Sequence, residues 1–469
     1  MEEHDLIVIG SGPAGRRAAV QAAKLGRRVL VVEGRRRVGG VSVHTGTIPS
    51  KTLRETALNL SGWRERGFYG SSYRVKKVIC GEDLGERLGK TLEHEVDVLE
   101  HQFQRNNVRI VAGMARFLDP HTLAIRAADG SEQHVRGERI LIAVGTAPFH
   151  PEGIPFDGHH VIDSDAVIDA PRVPRSLTVI GAGVIGIEYA TIFSALDVPV
   201  TLVEPRETFL DFVDREIIGE FVHILRDRGV TLRLGCSVKR IAPGPDGWPI
   251  TTLADGRQIR SDMVLYAAGR QGATTGLDLH NCGLAVDHRG RIAVDPATFQ
   301  TAAPHIYAAG DVIGFPSLAS TSMEQGRIAA CHAFGLPIPP APKYFPYGIY
   351  AVPEISTVGL NEEEARARGI AYEVGIARFR ETSRGHIMGI NAGMMKLLFA
   401  LKTRRLLGVH IIGEGATELI HIGQAVLNLK GTLDYFIENT FNYPTLAEAY
   451  KVAALDAWNR FPRRLAKAA

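Results

Sequence analysis

The chain has 469 residues, 45% of them hydrophobic, and its formal net charge is +3 at pH 7. This length predicts two to four domains at roughly 150 residues each. The small net charge argues against nucleic acid or an acidic membrane surface as a partner. No apolar run approaches the length of a membrane span, and the first residues lack the positively charged region of a signal peptide. These features predict a cytoplasmic protein.

The cysteines are few and far apart in the sequence. They form neither a C-x-x-C pair nor a zinc-binding spacing, and scattered cysteines of this kind are typical of reduced thiols in a cytoplasm. We therefore expect no metal site. The four residues are Cys80, Cys236, Cys282 and Cys331.

In chain order, the first pattern is that of a dinucleotide-binding unit: strand, glycine-rich turn, helix, strand and acid. An apolar run at residues 6–9 precedes the turn, a helix is predicted over residues 16–25, and a second strand ends at Glu33. The first glycine of such a turn permits the tight bend, the second lets the backbone approach a pyrophosphate, and the third lets the helix pack close to the strand. These glycines are Gly10, Gly12 and Gly15.

The same pattern returns later in the chain. A strand is predicted at residues 177–180, a helix from Ile187, and a strand at residues 200–203 that ends at Glu204. One G-x-G-x-x-G turn is weak support for a nucleotide site, but two complete copies, each followed by an acid about 20 residues on, are strong support. We expect both acids to bind an adenosine ribose; the alternative is that they are solvent-exposed strand ends. The second turn contains Gly181, Gly183 and Gly186.

Proline-rich stretches at residues 148–155, 171–174 and 337–346 mark domain borders. Beyond the third border the glycine turns stop. Strands are predicted at residues 396–399 and 407–412, and helices at residues 416–429 and 445–458. The last part of the chain is therefore predicted to be an α+β domain without a nucleotide of its own.

Residues 38–51 read V-G-G-V-S-V-H-T-G-T-I-P-S-K. This segment resembles the active-site segment of the flavoprotein disulfide reductases, GG-x-C-x-x-x-G-C-x-P-S-K. Gly40 retains the family's glycine, but Ser42 and Thr47 stand where the family has its two redox cysteines. Because neither hydroxyl can cycle between dithiol and disulfide, the family's usual chemistry is absent.

Three further segments resemble the same family. Residues 139–145, which end at Gly145, are similar to its strand and turn after the flavin half-site. Residues 266–270, with Gly269, are similar to the strand that closes the nicotinamide domain. Residues 301–311 are similar to the second flavin motif, whose aspartate corresponds to Asp311 and bonds the flavin ribityl chain. The resemblance implies that the first turn binds FAD and the second binds NAD(H) or NADP(H).

The order of these motifs implies an α/β fold with two Rossmann-type dinucleotide-binding domains, for FAD and for NAD(P), and a C-terminal α+β dimerisation domain. The resemblance divides the chain into a first FAD-binding part (residues 1–150), an NAD(P)-binding domain (151–278), a second FAD-binding part (279–345) and a dimerisation domain (346–469). It also implies a homodimer or a larger homo-oligomer.

The resemblance further assigns the reaction centre. Lys51 is implied to lie beside flavin N5 and to pair with Glu188, since a buried lysine needs such a partner. A helix that starts near Thr47 would place Thr47 and Lys51 on one face. Tyr443 replaces the family's histidine, which reaches in from the other subunit, and Glu448 retains that histidine's glutamate. A base held for thiol chemistry has no task once the thiols are gone.

The nucleotide preference stays open on the sequence. Glu204 favours NAD, because a carboxylate repels a 2′-phosphate, whereas Arg206 is placed to bind that phosphate. The pair predicts a pocket that accepts either dinucleotide. The alternative is that Arg206 only balances a nearby carboxylate at the surface.

Two replacements, G-T-I-P-S-K and F-N-Y-P-T, together resemble one subgroup of the family, the soluble, flavin-dependent pyridine nucleotide transhydrogenases. This implies hydride transfer from NADPH to NAD⁺ through flavin N5 by a ping-pong mechanism. The chain departs from the subgroup at Ser42, where its members keep a cysteine. Two alternatives remain: an NAD(P)H quinone reductase or diaphorase, and a non-catalytic flavoprotein redox sensor.

Overall fold

The computed structural model describes residues 1–169, 172–337 and 342–461. Residues 170–171 and 338–341, which belong to two of the predicted proline-rich borders, lie outside the described residues, as do residues 462–469 at the end of the predicted C-terminal domain. Within the described ranges, no helix is long and apolar enough to cross a membrane.

The strand Glu2–Ile9 lies at the centre of the first sheet, which is parallel around it. Its alternate residues enter two different cores, with Leu6 and Val8 on one face and Ile7 and Ile9 on the other. Because both faces are covered, the strand is apolar over this whole stretch. In spatial order the sheet contains Arg109–Ala112, Val29–Glu33, Glu2–Ile9, Glu132–Ile142, Thr122–Arg126 and Met114–Phe117.

A late segment of the chain completes this first sheet. The strand Glu132–Ile142 pairs at its start with Thr122–Arg126, antiparallel, and at its end with Ile306–Ala308, parallel. The sequence resemblance places the two FAD-binding parts on either side of the second glycine turn. Strands from both of those parts meet here in one sheet.

The second sheet is entirely parallel and forms around the second glycine turn. Its strands, in spatial order, are Thr231–Leu234, Val200–Glu204, Leu177–Ile180, Met263–Tyr266 and Val161–Asp163. A small antiparallel sheet accompanies it, with strands Val238–Pro243, Pro249–Leu253 and Gln258–Arg260.

The C-terminal sheet is antiparallel and has helices packed on it. Its strands, in spatial order, are Tyr347–Ile349, Ile355–Gly359, Leu406–Ile412, Met394–Ala400 and Tyr372–Arg378. One sheet with a parallel centre and antiparallel strands at one edge, one parallel sheet and one antiparallel α+β unit confirm the predicted fold class. The division into four segments, with borders after residues 150, 278 and 345, remains a prediction.

Small residues allow helices of the first unit to pack closely. The helix Pro13–Lys24 lies against Ala319–Ala333, and a Cβ on Gly326 would come within 2.0 Å of the Ala14 carbonyl oxygen. The second unit has the helix Val184–Ala195 in the equivalent place after its own turn. The remaining α-helices are Gly40–His44, Thr47–Leu60, Arg66–Tyr69, Gly81–Gln104, Ala166–Asp169, Arg215–Asp227, Glu362–Ala367, Ser383–Ile387, Ala416–Asn428, Leu433–Glu438 and Glu448–Arg460.

Several predicted boundaries differ from the structure. The helix predicted over residues 16–25 is Pro13–Lys24, and the strand predicted at residues 396–399 is Met394–Ala400. The helix predicted from Ile187 begins at Val184, immediately after the cap residue Gly183. The helix predicted over residues 445–458 is Glu448–Arg460, because a turn precedes it in which the Thr445 hydroxyl donates to the Asn442 carbonyl, 2.7 Å away.

A further error concerns the segment 266–270, for which the sequence predicts a strand. The strand is Met263–Tyr266, and the chain then turns at Gly269, whose φ of 131° favours glycine. After that turn, Arg270–Gly272 pairs with Thr146–Pro148 in a separate two-stranded sheet. Gly269 therefore lies in a turn beside the first unit.

Candidate functional site

The first glycine turn has the backbone geometry that its sequence requires. Gly10 has a φ of 101°, and a Cβ on Gly15 would lie 1.9 Å from the Gly10 carbonyl oxygen. The helix Pro13–Lys24 starts with Gly12 as its cap and a proline in its first turn. Its first backbone N–H groups have no partner within the helix, which makes this end suited to a phosphate.

Glu33 organises the loops around this turn. Its Oε2 accepts hydrogen bonds from the backbone N–H of Ser11, at 3.0 Å, and from the Ser11 hydroxyl, and its Oε1 accepts from the backbone N–H of Arg35 at 2.8 Å. The Ser11 oxygen in turn accepts from the Gly39 backbone N–H at 2.8 Å. Ser11 therefore ties the glycine turn to the loop before Gly40. Sequence reasoning missed Ser11 because it occupies a variable position of the G-x-G-x-x-G motif.

Gly40 lies where only a glycine fits. Its φ is 59°, and a Cβ there would lie 2.9 Å from Cα of Gly12. The two segments that supply the glycine turn and the 38–51 motif are therefore in close backbone contact.

These segments border an elongated cleft with a cavity volume of about 360 Å³, within the range of about 300–1,000 Å³ typical of ligand sites. The glycine turn lies at its wall together with both hydroxyls that replace the family's cysteines. FAD has a pyrophosphate, an adenosine ribose and a ribityl chain. The backbone N–H groups at the helix start, the acid after the second strand and the half-buried Asp311 match these parts, so the residues present fit this cofactor. Residues along the cleft include Gly10, Glu33, Ser42, Thr47, Gly145 and Asp311.

The carboxylate of Asp311 lies along the cleft and is free to accept hydrogen bonds from a ligand. Burial raises the pKa of Asp311, although Arg270 opposes the shift. Among the residues that the structure describes, none donates a hydrogen bond to its carboxylate. A half-buried carboxylate of this kind is suited to accept hydrogen bonds from ligand hydroxyl groups.

Arg270 connects three segments beside the cleft. Its Nη1 lies 2.9 Å from Oδ1 of Asp165, and its Nε donates to the Thr146 hydroxyl at 2.9 Å. The Thr45 hydroxyl donates to the second oxygen of Asp165 at 3.0 Å. Sequence reasoning missed this group. Arg270 directly follows Gly269 in a recognised motif and could have been proposed from it, whereas no local pattern in the sequence marks Asp165.

Lys51 and Glu188 form an ion pair across 137 residues of sequence. The Lys51 Nζ lies 2.7 Å and 2.9 Å from the two carboxylate oxygens of Glu188. The Lys51 side chain is 26% exposed and that of Glu188 is 5% exposed. Because Glu188 is the more buried partner, loss of Lys51 would leave its charge uncompensated.

A segment of the C-terminal unit supports this pair. The backbone N–H of Tyr350 donates to Oε1 of Glu188 at 2.9 Å. The Lys51 Nζ also lies 4.8 Å from the centroid of the Tyr350 ring. Sequence reasoning missed Tyr350, which lies in no recognised motif.

Only hydroxyl groups occupy the two cysteine positions. Thr47 is the first residue of the helix Thr47–Leu60 and is exposed at the cleft, one helical turn before Lys51. The Ser42 hydroxyl donates to the Gly39 carbonyl at 3.0 Å. Neither atom can accept two electrons by forming a bond to the other.

The second glycine turn repeats the backbone of the first. Gly181 has a φ of 98°, and a Cβ on Gly186 would lie 1.9 Å from the Gly181 carbonyl oxygen. Gly183 caps the helix that follows. Oε2 of Glu204 accepts from the backbone N–H of Ala182 at 2.8 Å.

Arg206 already has a carboxylate at each side. Its Nε donates to Oε1 of Glu204 at 2.8 Å, and its Nη1 lies 3.1 Å from Asp211. Burial opposes the ionisation of Glu204, but the bonds from Arg206 and Ala182 bring the pKa of Glu204 below its ordinary value. The Arg206 side chain is 53% exposed, so it is accessible to a ligand at the surface.

Tyr443 and Glu448 meet at Ser383 in the C-terminal unit. The Tyr443 hydroxyl lies 2.5 Å from the Ser383 hydroxyl, and Oε1 of Glu448 accepts from the Ser383 backbone N–H at 3.2 Å. In the part of the chain that the structure describes, no hydrogen bond or ion pair joins them to Lys51 or Glu188. Tyr443 is exposed, so its surface is open to a partner molecule.

Known proteins resemble the chain over its full extent. Residues 4–326 match the family described as pyridine nucleotide-disulphide oxidoreductase, and residues 345–454 match the dimerisation domain of that family. The chain is 52% identical over 461 residues to the soluble pyridine nucleotide transhydrogenase of Mycobacterium tuberculosis (strain ATCC 25177 / H37Ra), with 98% of each chain covered. It is 42% identical over 462 residues to the protein of that name from Escherichia coli O9:H4 (strain HS), again with 98% of each covered.

Solved structures share the fold. LpdA of Mycobacterium tuberculosis is 25% identical, with a TM-score of 0.88, 97% of this chain and 99% of that chain covered. The HOCl-induced flavoprotein disulfide reductase RclA of Escherichia coli is 28% identical, with a TM-score of 0.86, 96% of this chain and 99% of that chain covered. The similarity thus includes both glycine turns and the C-terminal sheet.

Proposed function

This chain belongs to the pyridine nucleotide-disulphide oxidoreductase family, and from this premise we propose that it is an FAD-dependent transhydrogenase that transfers hydride reversibly between NADPH and NAD⁺. One observation carries the proposal. The Lys51–Glu188 pair is intact beside a cleft in which hydroxyls of Ser42 and Thr47 replace both redox cysteines. The site is therefore built for hydride transfer without a dithiol.

The first turn and its surroundings are proposed to hold FAD. Gly10, Gly12 and Gly15 would receive the pyrophosphate at the helix start, and Glu33 would bind the adenosine ribose. Gly40 and Gly145 would let the backbone approach the cofactor, and Asp311 would accept hydrogen bonds from its hydroxyls. When bound, FAD supplies the redox centre that can take up and give back a hydride, which no side chain of this site provides.

Lys51 is proposed to supply a fixed positive charge at the reacting end of the cleft. A preorganised charge stabilises negative charge that develops during reaction without reorganising solvent. Glu188 holds the ammonium in place, and Tyr350 holds Glu188. Thr47, at the start of the same helix, borders the cleft.

The second turn is proposed to bind both nicotinamide nucleotides in succession. Gly181, Gly183 and Gly186 would receive the pyrophosphate, and Gly269 lies in the turn after a neighbouring strand. Glu204 would accept the ribose hydroxyls of NAD(H), whereas Arg206 would leave its carboxylate partners for the 2′-phosphate of NADP(H). Because the chain has one such turn besides the first, donor and acceptor use the same site, which requires a ping-pong order.

The assembly and location follow from the same proposal. The match to a dimerisation domain supports a homo-oligomer, and we propose a homodimer in which Tyr443 and Glu448 lie near the partner's flavin site. The proposed division is residues 1–150 and 279–345 for FAD, 151–278 for NAD(P) and 346–469 for dimerisation. Scattered cysteines and relatives named as soluble enzymes support a cytoplasmic location.

The direct test mixes the purified protein with NADPH and a thio-analogue of NAD⁺, whose reduced form absorbs at its own wavelength. We expect turnover, parallel double-reciprocal lines and competition between the nucleotides at high concentration. Intersecting lines would reveal a second nucleotide site and overturn the ping-pong order. Rates with quinones far above those with the analogue would replace the proposal by a diaphorase, and a protein that takes up flavin but never exchanges hydride would be a redox sensor.

A further inference from the structure

Lys396 is a charged side chain buried between two structural units. It lies in the strand Met394–Ala400 of the C-terminal sheet and is 1% exposed. Its Nζ lies 2.9 Å from an oxygen of Asp214 and 2.9 Å from an oxygen of Glu216, both of the second unit, and 2.5 Å from Glu362 of its own unit. Desolvating an ammonium costs several kcal/mol unless partners compensate it, so this contact is a specific one.

Asp214 is the partner that connects Lys396 to the nucleotide-binding unit. It is as buried as Lys396, and its Oδ1 also accepts from the Glu216 backbone N–H at 3.0 Å, which caps the helix Arg215–Asp227. Burial raises the pKa of Asp214, but nearby His410 and the bonds from Lys396 and Glu216 bring it below its ordinary value. Lys396, whose Nζ lies within 2.9 Å of three carboxylates, supplies positive charge at the centre of this group.

The helix cap at Asp214 closes the segment that carries Arg206, the residue proposed to bind the 2′-phosphate. This segment, residues 205–213, begins directly after Glu204 and contains Arg206 and Asp211, which bond each other. Its start is held by the bonds of Glu204, and its end is held by Asp214. Lys396 therefore fixes one end of the segment from outside the second unit.

The same segment contacts the C-terminal sheet at a second point. The Phe212 ring lies 4.5 Å from the Tyr347 ring, centroid to centroid. Tyr347 begins the strand Tyr347–Ile349, and the next residue, Tyr350, donates to Glu188. One sheet thus contacts both the nucleotide segment and the ion pair of Lys51.

We propose that Lys396 is a positioning residue for hydride transfer. Through Asp214 it fixes the segment 205–213, and with it the second parallel sheet, relative to the C-terminal sheet that supports Glu188. This inference rests on the proposed function, since it concerns how a nucleotide bound at the second turn is aligned with the Lys51 site. Lys396 touches neither the cleft nor the segment's own arginine, so it should affect both nucleotides equally.

The test uses the FAD-loaded double variant Lys396→Met with Asp214→Asn. Methionine keeps the length and bulk of the chain, and the asparagine oxygen still caps the helix, so no uncompensated Asp214 charge remains. Glu362 keeps the Tyr372 hydroxyl as a partner, at 2.6 Å. Flavin reduction is followed by stopped flow at saturating NADPH and, separately, NADH.

We expect the limiting rate of flavin reduction to fall roughly 10- to 100-fold with both nucleotides, as a misalignment of about 1 Å produces. The nucleotide dissociation constants should change less, because Glu204 and Arg206 remain. Without nucleotide, hydrogen exchange should become faster at the amides of residues 205–213 and stay unchanged in the first sheet. The matched control is Arg215→Ala, which removes an exposed pair with Glu363 between the same two units; Arg215 is 84% exposed, and both readouts should remain as in the wild type.

A limiting rate equal to that of the wild type would overturn the inference, as would a fall with only one of the two nucleotides. Flavin reduction requires no nucleotide acceptor. If the wild type is reduced by NADPH but never reduces the thio-analogue of NAD⁺, the proposed function fails while the comparison of reduction rates still tests Lys396.

Discussion

The two glycine turns of this chain have nearly the same backbone but different surroundings. Gly10 and Gly181 have φ values of 101° and 98°, and the third glycine of each turn would place a Cβ 1.9 Å from the carbonyl oxygen of the first. Each turn is followed by a twelve-residue helix. The backbone conformation of each turn is therefore determined by the glycine motif itself.

The surroundings differ in how the acid after the second strand is used. In the first unit, Glu33 accepts a hydrogen bond from Ser11, and the Ser11 hydroxyl accepts one from Gly39. These bonds hold the loop that contains Gly39 against the glycine turn. In the second unit, Ala182 replaces that serine, and Glu204 instead pairs with an exposed arginine. A closed turn is suited to a resident cofactor, and an open turn is suited to ligands that must exchange.

The comparison is tested most strongly by the same change in both turns. Gly15→Ala should yield a protein without flavin, whereas Gly186→Ala should retain flavin but lose its reduction by NADPH and NADH. In both, the new Cβ would overlap a backbone oxygen. The measurement is the ratio of flavin to protein by absorbance after denaturation.

Gly219→Ala is the control for these substitutions, because the only atoms near its new methyl group would be backbone atoms of its own helix, Arg215–Asp227. It should leave both flavin content and nucleotide reactivity unchanged. Full flavin content in Gly15→Ala would show that the first turn does not bind FAD.

The next largest effect is expected at Lys51, which belongs to neither turn. Lys51→Met should retain FAD, since Lys51 lies on the helix after the cleft rather than at the glycine turn, but should slow flavin reduction by roughly 100-fold through loss of a preorganised charge. Stopped-flow reduction by NADPH measures this. Lys90→Met, at an exposed lysine, should behave as the wild type, and an equally fast Lys51→Met would remove Lys51 from the reaction.

Substitutions beside the second glycine turn are expected to change the preference between NADH and NADPH. Glu204→Ala should weaken the use of NADH, and Arg206→Ala that of NADPH. Loss of a charged hydrogen bond, about 1.5–3 kcal/mol, corresponds to roughly a 10- to 150-fold change in kcat/KM. If Arg206→Ala leaves the NADPH kinetics unchanged, the 2′-phosphate is bound elsewhere and Arg206 only balances its neighbouring carboxylates.

The smallest effect concerns two carboxylates whose pKa values are shifted in opposite directions. Burial raises the pKa of Asp311, so its charge costs stability once the pH exceeds its ordinary value of 3.8. The pKa of Glu204 is lowered, so its charge adds stability above its ordinary value of 4.5 and this is lost as the pH falls.

At pH 7 the flavin-free Asp311→Asn variant should therefore melt above the flavin-free wild type, and Glu204→Gln should melt below it. Both differences should shrink towards pH 4, as the wild-type carboxylates take up protons. Thermal unfolding of the flavin-free proteins across this range is the measurement. A lower melting temperature of Asp311→Asn at pH 7 would mean that the Asp311 carboxylate already has partners in the folded protein.

Much of this protein was predictable from the sequence because the signals are local. A glycine turn, its flanking strands and the acid after the second strand lie within about 25 residues and obey short-range steric rules, so both turns were located correctly. The spacing of Thr47 and Lys51 likewise fixed their common helix. The replacement of both cysteines by hydroxyls needed no structure at all.

Only the tertiary structure decided how these segments meet. The pairing of Lys51 with Glu188 was implied by family resemblance, but its support by Tyr350 depends on a strand from another unit. Ser11 with Gly39, Arg270 with Asp165, and Lys396 with Asp214 join residues 28, 105 and 182 positions apart. Even where one partner lies in a motif, as Ser11 and Arg270 do, no periodicity or motif in the sequence shows which residue it meets. Such pairs are selected by the packing of segments that lie far apart in the chain.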